Sequence, residues 1–186
     1  LGKPFDENAV DEQQLSGHSW FLRGLCEYYR LFGDEKVFSR IESISNNYLS
    51  LLGKSYQNYP DCERGDGGVD GHLTKVVREG WLLSTDIGCA FIMLDGIIDA
   101  YSVLLTEKLK SVIEIMIKRF TEFDLVKFNF QTHATLSATR GLLRFYKLTG
   151  NSEYLEISKK IFQLYTAYGM TLNYANYNWF GKPLWT

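Results

Sequence analysis

The sequence predicts an all-α chain built from helical hairpins, and three observations carry that prediction. The pattern Gly-(Leu/Ile)-x-x-x-Tyr occurs three times, as Gly24-Leu25 with Tyr29, Gly96-Ile97 with Tyr101, and Gly141-Leu142 with Tyr146. Apolar residues around each copy recur every three to four residues, the period of a helix with one buried face. Sliding Arg23 onto Arg140 also superposes Gly33 on Gly150, Asp34 on Asn151, Ile44 on Ile161 and Tyr48 on Tyr165. A helix pair of this kind cannot bury its apolar face alone, so successive pairs stack side by side.

The first hairpin is expected over about residues 13–52, with a turn at Gly33-Asp34 where glycine ends one helix and aspartate caps the next. The second is expected over about 84–123, with a turn at Leu105-Thr106-Glu107 that lacks the glycine and has Thr106 as its cap. The third, over about 131–169, turns at Thr149-Gly150-Asn151. Almost no strand is expected. The thrice-repeated glycine sits inside the first helix of each pair, where glycine costs about 1 kcal/mol against alanine. Its recurrence implies that the first helices approach one another closely around a shared centre. The 186 residues are long enough for one domain with a real core, and all of 1–186 reads as one such segment.

Composition narrows the function. A formal net charge of −2 carries no electrostatic footprint for nucleic acid. No apolar run approaches the roughly 18 residues of a membrane span. The 3 cysteines, Cys26, Cys62 and Cys89, are odd in number and lack Cys-x-x-Cys spacing, which favours a reducing, cytoplasmic compartment over a disulfide framework. Leu1 is not an initiator methionine, so a removed leader is also compatible. No cofactor and no metal site is assigned.

If the first helices share a direction, every connection from a second helix to the next first helix opens on one end. Those connections are the lead-in through His18, the long stretch 53–83, the stretch 124–133 and the tail from 170. Long loops on a rigid scaffold commonly carry function, and these hold the unusual chemistry. His18 and His133 stand near helix starts, where the dipole disfavours imidazolium and leaves a neutral ring able to exchange hydrogen bonds with a sugar hydroxyl. Each also has the plainer role of a capping or packing histidine. Gln131, two residues before His133, offers an amide. The run Asp61-Cys62-Glu63-Arg64-Gly65-Asp66-Gly67-Gly68-Val69-Asp70-Gly71-His72 supplies carboxylates and His72 on a backbone able to turn tightly, without calcium-loop spacing. It reads equally as a solvated acidic turn. The tail Tyr174, Asn176, Tyr177, Asn178 and Trp179 interleaves rings that stack on sugars with amides that read hydroxyls, or else forms an aromatic lid. Trp20, Trp81 and Trp185 are expected on the same face. Two-carboxylate glycoside hydrolysis needs an acid and a base or nucleophile about 5–9.5 Å apart, and Asp66, Asp70 and Asp86, with Glu63, form that pool. Asp86 alternatively caps the second hairpin, and Asp95 faces Arg23 or Arg140.

Leu15-Ser16-Gly17-His18 ahead of an aromatic helix and Gly33-Asp34-Glu35, and Gln131-Thr132-His133-Ala134-Thr135-Leu136-Ser137 leading to Thr149-Gly150-Asn151, carry a distant family pattern. With the tail from Tyr174 to Thr186, they resemble the N-terminal half of the β-L-arabinofuranosidase-type glycoside hydrolases of the six-hairpin glycosidase superfamily. The resemblance implies an (α/α)6 toroid with sugar bound at one mouth, of which this chain supplies three of six hairpins, a half barrel. The partner it implies is the remainder of the same domain, C-terminal to Thr186, besides the carbohydrate substrate, a plant or bacterial glycan. The family's catalytic cysteine motif falls after the last hairpin here, and Cys26, Cys62 and Cys89 do not match it. Neither a zinc site nor a cysteine nucleophile is therefore transferred. Two readings compete with the hydrolase: a non-catalytic helical-repeat binding module, and another α/α-toroid enzyme such as a polysaccharide lyase or cyclase.

Overall fold

A computed structural model describes residues 9–62, 64 and 73–182. The chain is mostly helical, as the periodicity requires. The order is β1 (Val10–Asp11), α1 (Glu12–Phe32), α2 (Glu35–Asn47), α3 (Gly53–Gln57), β2 (Leu73–Arg78), β3 (Trp81–Ser84), α4 (Met93–Leu104), α5 (Glu107–Thr121), α6 (Thr132–Thr149) and α7 (Ser152–Tyr168).

The helix boundaries follow from capping chemistry. The Asp11 carboxylate accepts from the Gln13 and Gln14 amides at 2.8 and 3.0 Å and starts α1. Gly33, at φ 63°, ends α1, and Asp34 starts α2 by accepting from the Lys36 amide. Gly150, at φ 72°, and Asn151, accepting from the Glu153 amide, repeat that device between α6 and α7. In the middle pair Leu105 takes the same left-handed conformation at φ 51°, and Thr106 occupies the cap position without a side-chain hydrogen bond.

The helices α1, α4 and α6 run parallel. Ser16 and Ser19 of α1 donate to the carbonyls of Cys89 and Ile92, and farther along Arg30 reaches Asp99. On the other flank, the Gln131 amide donates to Ile87, and Phe145 meets Tyr101 with ring centroids 5.7 Å apart. Two of the repeated glycines make this packing possible. A Cβ on Gly96 would lie 2.7 Å from the Ser19 backbone, and one on Gly141 would lie 3.0 Å from the Asp95 backbone. Gly24, the third copy, has open space where its Cβ would be, as does Gly17. Beside them on α1, Phe21 and Tyr28 are exposed. Behind α4, the rings of Tyr56, Tyr59, Trp81, Phe91, Phe120, Phe123 and Phe130 fill the core against α3 and α5.

The stretch 53–83 differs from the expected loop. It contains α3 and the strands β2 and β3, which with β1 from the start of the chain make a three-stranded sheet of order β1-β3-β2, β1 parallel and β2 antiparallel to β3. The physical reason was in the sequence. Val76 and Val77 favour a strand, and Glu79-Gly80 form a two-residue turn with φ of 50° and 77°, the doubly left-handed geometry of a tight hairpin. The first helix of the middle pair also starts later than expected. Met93 opens α4 after a 3-10 turn at Cys89–Ile92, and Ile92 occupies the cap position. Asp86 therefore does not cap it. No helix among the described residues is long and apolar enough to cross a membrane.

Candidate functional site at the starts of three parallel helices

Because α1, α4 and α6 are parallel, their starts share one end. The connection before α6 and the tail after α7 are sewn together there. The amide of Thr132 donates to the Asn178 carbonyl at 2.9 Å, the Thr132 hydroxyl donates to the Tyr177 carbonyl, and Gln131 pairs with Trp179 as an isolated bridge. The Phe180 amide donates to the Phe130 carbonyl at 3.0 Å, and the Phe180 ring is fully buried.

These bonds give several sequence-named residues defined duties. Gln131 is the N-cap of α6, its Oε1 accepting from the Ala134 amide at 2.6 Å. Trp179 donates its indole N–H to Oδ1 of Asp86 at 3.0 Å, and Asp86 is 5% exposed. Asn176 accepts from the Tyr165 hydroxyl, and Tyr174 lies exposed at φ 64° in the turn that reverses the tail. His18 meets Tyr48 edge-on at 5.4 Å, away from His133, and burial lowers its pKa against a smaller opposing pull from Asp11. His133 is exposed and faces Trp20, with ring centroids 6.1 Å apart and planes 52° apart. Trp20 is half-exposed, whereas Trp81 is wholly buried and donates to the Ser55 carbonyl, so it belongs to the core. Glu63, Asp66, Asp70, His72 and Trp185 lie outside the described residues.

The structure thus brings together two groups: Trp20 with His133, on facing walls, and Gln131, Trp179 and Asp86 in the seam beside α6. Helical spacing carries the first group inward. Trp20 and Arg23 are three residues apart on α1, and His133 and Arg140 are seven apart on α6, so each pair shares a face.

Between those faces lies Asp95 of α4, 1% exposed. Arg140 donates to its Oδ2 from Nε at 3.1 Å and also from Nη2. Arg144 donates to Oδ1 from Nη1 at 3.1 Å. Arg23 holds its Nε 3.1 Å from Oδ2 without the alignment of a hydrogen bond. One turn on, Asp99 accepts from Arg30 at 2.7 Å and lies 3.8 Å from Arg144. The sequence pointed to Arg23 and Arg140 around Asp95. It missed Arg144, Arg30 and Asp99, although Asp95/Asp99 and Arg140/Arg144 stand at the four-residue spacing that puts each pair on one helix face.

A second buried ion pair closes the far side of α1. Glu12 accepts from Arg64 at 2.9 Å and from the Ser84 amide at 2.7 Å, while burial raises its pKa against the pull of Arg64. A surface cavity of about 470 Å³, bounded by Pro60, Asp61, Arg78 and Arg119 among others, includes none of the sequence-named site residues. Among the described residues no cluster of three His, Cys, Asp or Glu side chains is placed to hold a metal ion. Burial pushes the Cys26 thiol up to about 12 and the Cys89 thiol higher, so neither is a thiolate nucleophile near neutral pH. No family model matches this chain, and neither does any curated protein or any solved structure.

Proposed function

We propose that the chain is the N-terminal half of an α/α-toroid carbohydrate-active enzyme, a glycoside hydrolase that binds a plant or bacterial glycan at the shared end of α1, α4 and α6. The observation that carries this reading is the facing pair of Trp20 and His133 on the same helix faces as the charged cluster around Asp95. An indole face half open to water stacks on the apolar face of a sugar ring, and an imidazole opposite it supplies hydrogen bonds to hydroxyls. Gly24 supports further hairpins. Its repeat equivalents Gly96 and Gly141 each seat a neighbouring helix backbone, and Gly24 has the same position with no neighbour.

In this reading Trp179 and Gln131 shape the rim, and Asp86 positions Trp179. Acid and base come from Asp66, Asp70 and Asp86, or from the rest of the domain beyond Thr186. One observation favours the non-catalytic binding module instead. Asp86, Asp95 and Asp99 already accept from Trp179, Arg140 and Arg30, and no two of them stand as a free acid and base.

The test is tryptophan fluorescence of the chain titrated with a panel of plant and bacterial oligosaccharides. Saturable binding weakened at least tenfold by Trp20→Ala is expected. No binding to any member, or binding untouched by both Trp20→Ala and His133→Ala, refutes the saccharide reading. Glycan cleavage, assayed in parallel, separates the hydrolase from the binding module.

A further inference from the structure

We propose that the guanidinium cluster of Arg23, Arg140 and Arg144 is an anion subsite that receives the carboxylate of a uronic-acid-containing saccharide whose ring lies on Trp20. This rests on the saccharide reading above and names its substrate class.

The charges around Asp95 and Asp99 do not balance. Four guanidinium groups, those of Arg23, Arg30, Arg140 and Arg144, surround the two buried carboxylates of Asp95 and Asp99. Glu27 adds a pairing only to Arg30, at the outer edge. The buried member of the cluster is Asp95, and the three arginines that converge on it each keep part of the side chain in solvent and a proton they cannot shed. Here Asp95 fixes the guanidinium groups and leaves donors over. Arg140 spends Nε and Nη2 on Asp95, and Arg144 spends Nη1. Nη1 of Arg140, Nε and Nη2 of Arg144 and both Nη atoms of Arg23 have no hydrogen-bond partner among the described residues. The three side chains remain 26%, 47% and 31% exposed for Arg23, Arg140 and Arg144. The buried carboxylate thus holds a pre-ordered fork, and a planar carboxylate is the ligand that such a fork matches bidentately.

The neighbours decide what carries that carboxylate. Trp20 is one helical turn from Arg23 and faces His133, which is two turns from Arg140. A ligand with an apolar ring face, hydroxyls and a carboxylate fits Trp20, His133 and the arginines in turn, and a uronic acid residue has all three. A bare inorganic anion leaves the indole unused.

The experiment titrates the chain with trigalacturonate, with the same trisaccharide as its methyl ester, and with inorganic sulfate. The free acid is expected to bind about tenfold or more tighter than the ester, as charge-assisted bidentate bonds warrant. That preference falls as salt rises. Arg140→Gln abolishes the preference, and Arg140→Lys, which keeps charge but not the fork, restores part of it. Helix content and melting temperature show whether each variant is folded. If Arg140→Gln unfolds, Arg23→Gln, whose Nε makes no aligned bond, takes its place. Trp20→Ala weakens acid and ester alike and leaves their ratio. Equal binding of acid and ester, or a preference that survives Arg140→Gln and Arg23→Gln together, overturns the inference and leaves the saccharide reading standing. Sulfate binding as tightly as the trisaccharide overturns the saccharide reading and the ligand class with it. Failure of all three ligands overturns the inference, and the saccharide reading falls with it only if the oligosaccharide panel also fails to bind.

Discussion

Changing each of the three repeated glycines to alanine tests the packing of the parallel helices with an internal control. All three sit in helix interiors, so each substitution gains about 1 kcal/mol of helix propensity. The surroundings then decide the sign. At Gly96 the new methyl would lie 2.7 Å from Ser19 backbone atoms, which cannot rotate away, so α1 and α4 must separate by several tenths of an ångström along their contact. Overpacking of this kind costs about 1–3 kcal/mol, and backbone against backbone belongs at the upper end, giving a net loss of about 2 kcal/mol. At Gly141 the distance is 3.0 Å, and a smaller net loss of about 1 kcal/mol is expected. At Gly24 no atom lies within 4 Å, and the full propensity gain of about 1 kcal/mol should appear. Urea unfolding followed by far-UV circular dichroism measures all three, compared at the midpoint and with the slope checked for constancy. Stabilisation by Gly96→Ala would refute the close approach of α1 and α4. Destabilisation by Gly24→Ala comparable to that at Gly96 would show that Gly24 is already packed against a helix in solution.

Three further expectations follow from the structure. Asp95→Ala leaves Arg23 and Arg140 without a counter-ion and Arg144 with Asp99 alone, 3.8 Å away. Breaking a buried pair costs about 3–5 kcal/mol, and because these arginines can turn to water the loss is expected near 3 kcal/mol by urea midpoint; a change within experimental error would show that the cluster does not join the helices. Leu105→Gly relieves a left-handed non-glycine residue that is largely exposed and should raise stability by about 1 kcal/mol, whereas Gly33→Ala, at the equivalent turn, should lower it by a similar amount. Burial lowers the His18 pKa below its usual 6.5, so the unfolded chain takes up the proton first as pH falls, and stability contributed by neutral His18 is lost as pH drops below about 6.5. His18→Gln should flatten the stability profile between about pH 7 and 5, and an unchanged slope would remove His18 from the acid response.

The helical pairs were legible because their signals are local: an apolar period, a glycine ending one helix and an Asp or Asn starting the next. The sheet was not, because the length of the stretch 53–83 outweighed the Glu79-Gly80 turn within it. In addition, β1 is two residues long and its partner lies about seventy residues away. At the site, that Trp20 and His133 stand at the same end follows from helix direction, which sequence supplies once the pairs are recognised, whereas their facing each other is visible only in the structure. The orientation of His18 toward Tyr48 does not follow from helix direction either, because one step of about 100° around a helix decides which wall a side chain faces. Gln131 and Trp179 were marked as ligand contacts by their chemistry, yet their hydrogen-bonding groups hold the α6 cap and the tail. Residue type alone does not distinguish these duties.

The pairing of β1 with β3 has a consequence for synthesis. Glu12 has its partners at Arg64 and Ser84, and Val10 takes its register from Trp81. A ribosome adding about 5–20 residues per second makes residue 84 several seconds after residue 12, and the exit tunnel delays its release further. Through that interval the start of α1 holds a carboxylate destined for burial with nothing to receive it. By contrast, α6 and α7 are joined by a two-residue turn and can pair as soon as both emerge. The beginning of the chain is therefore completed by its middle, so a nascent chain stalled before residue 84 should present an unfinished first helix to chaperones and proteases.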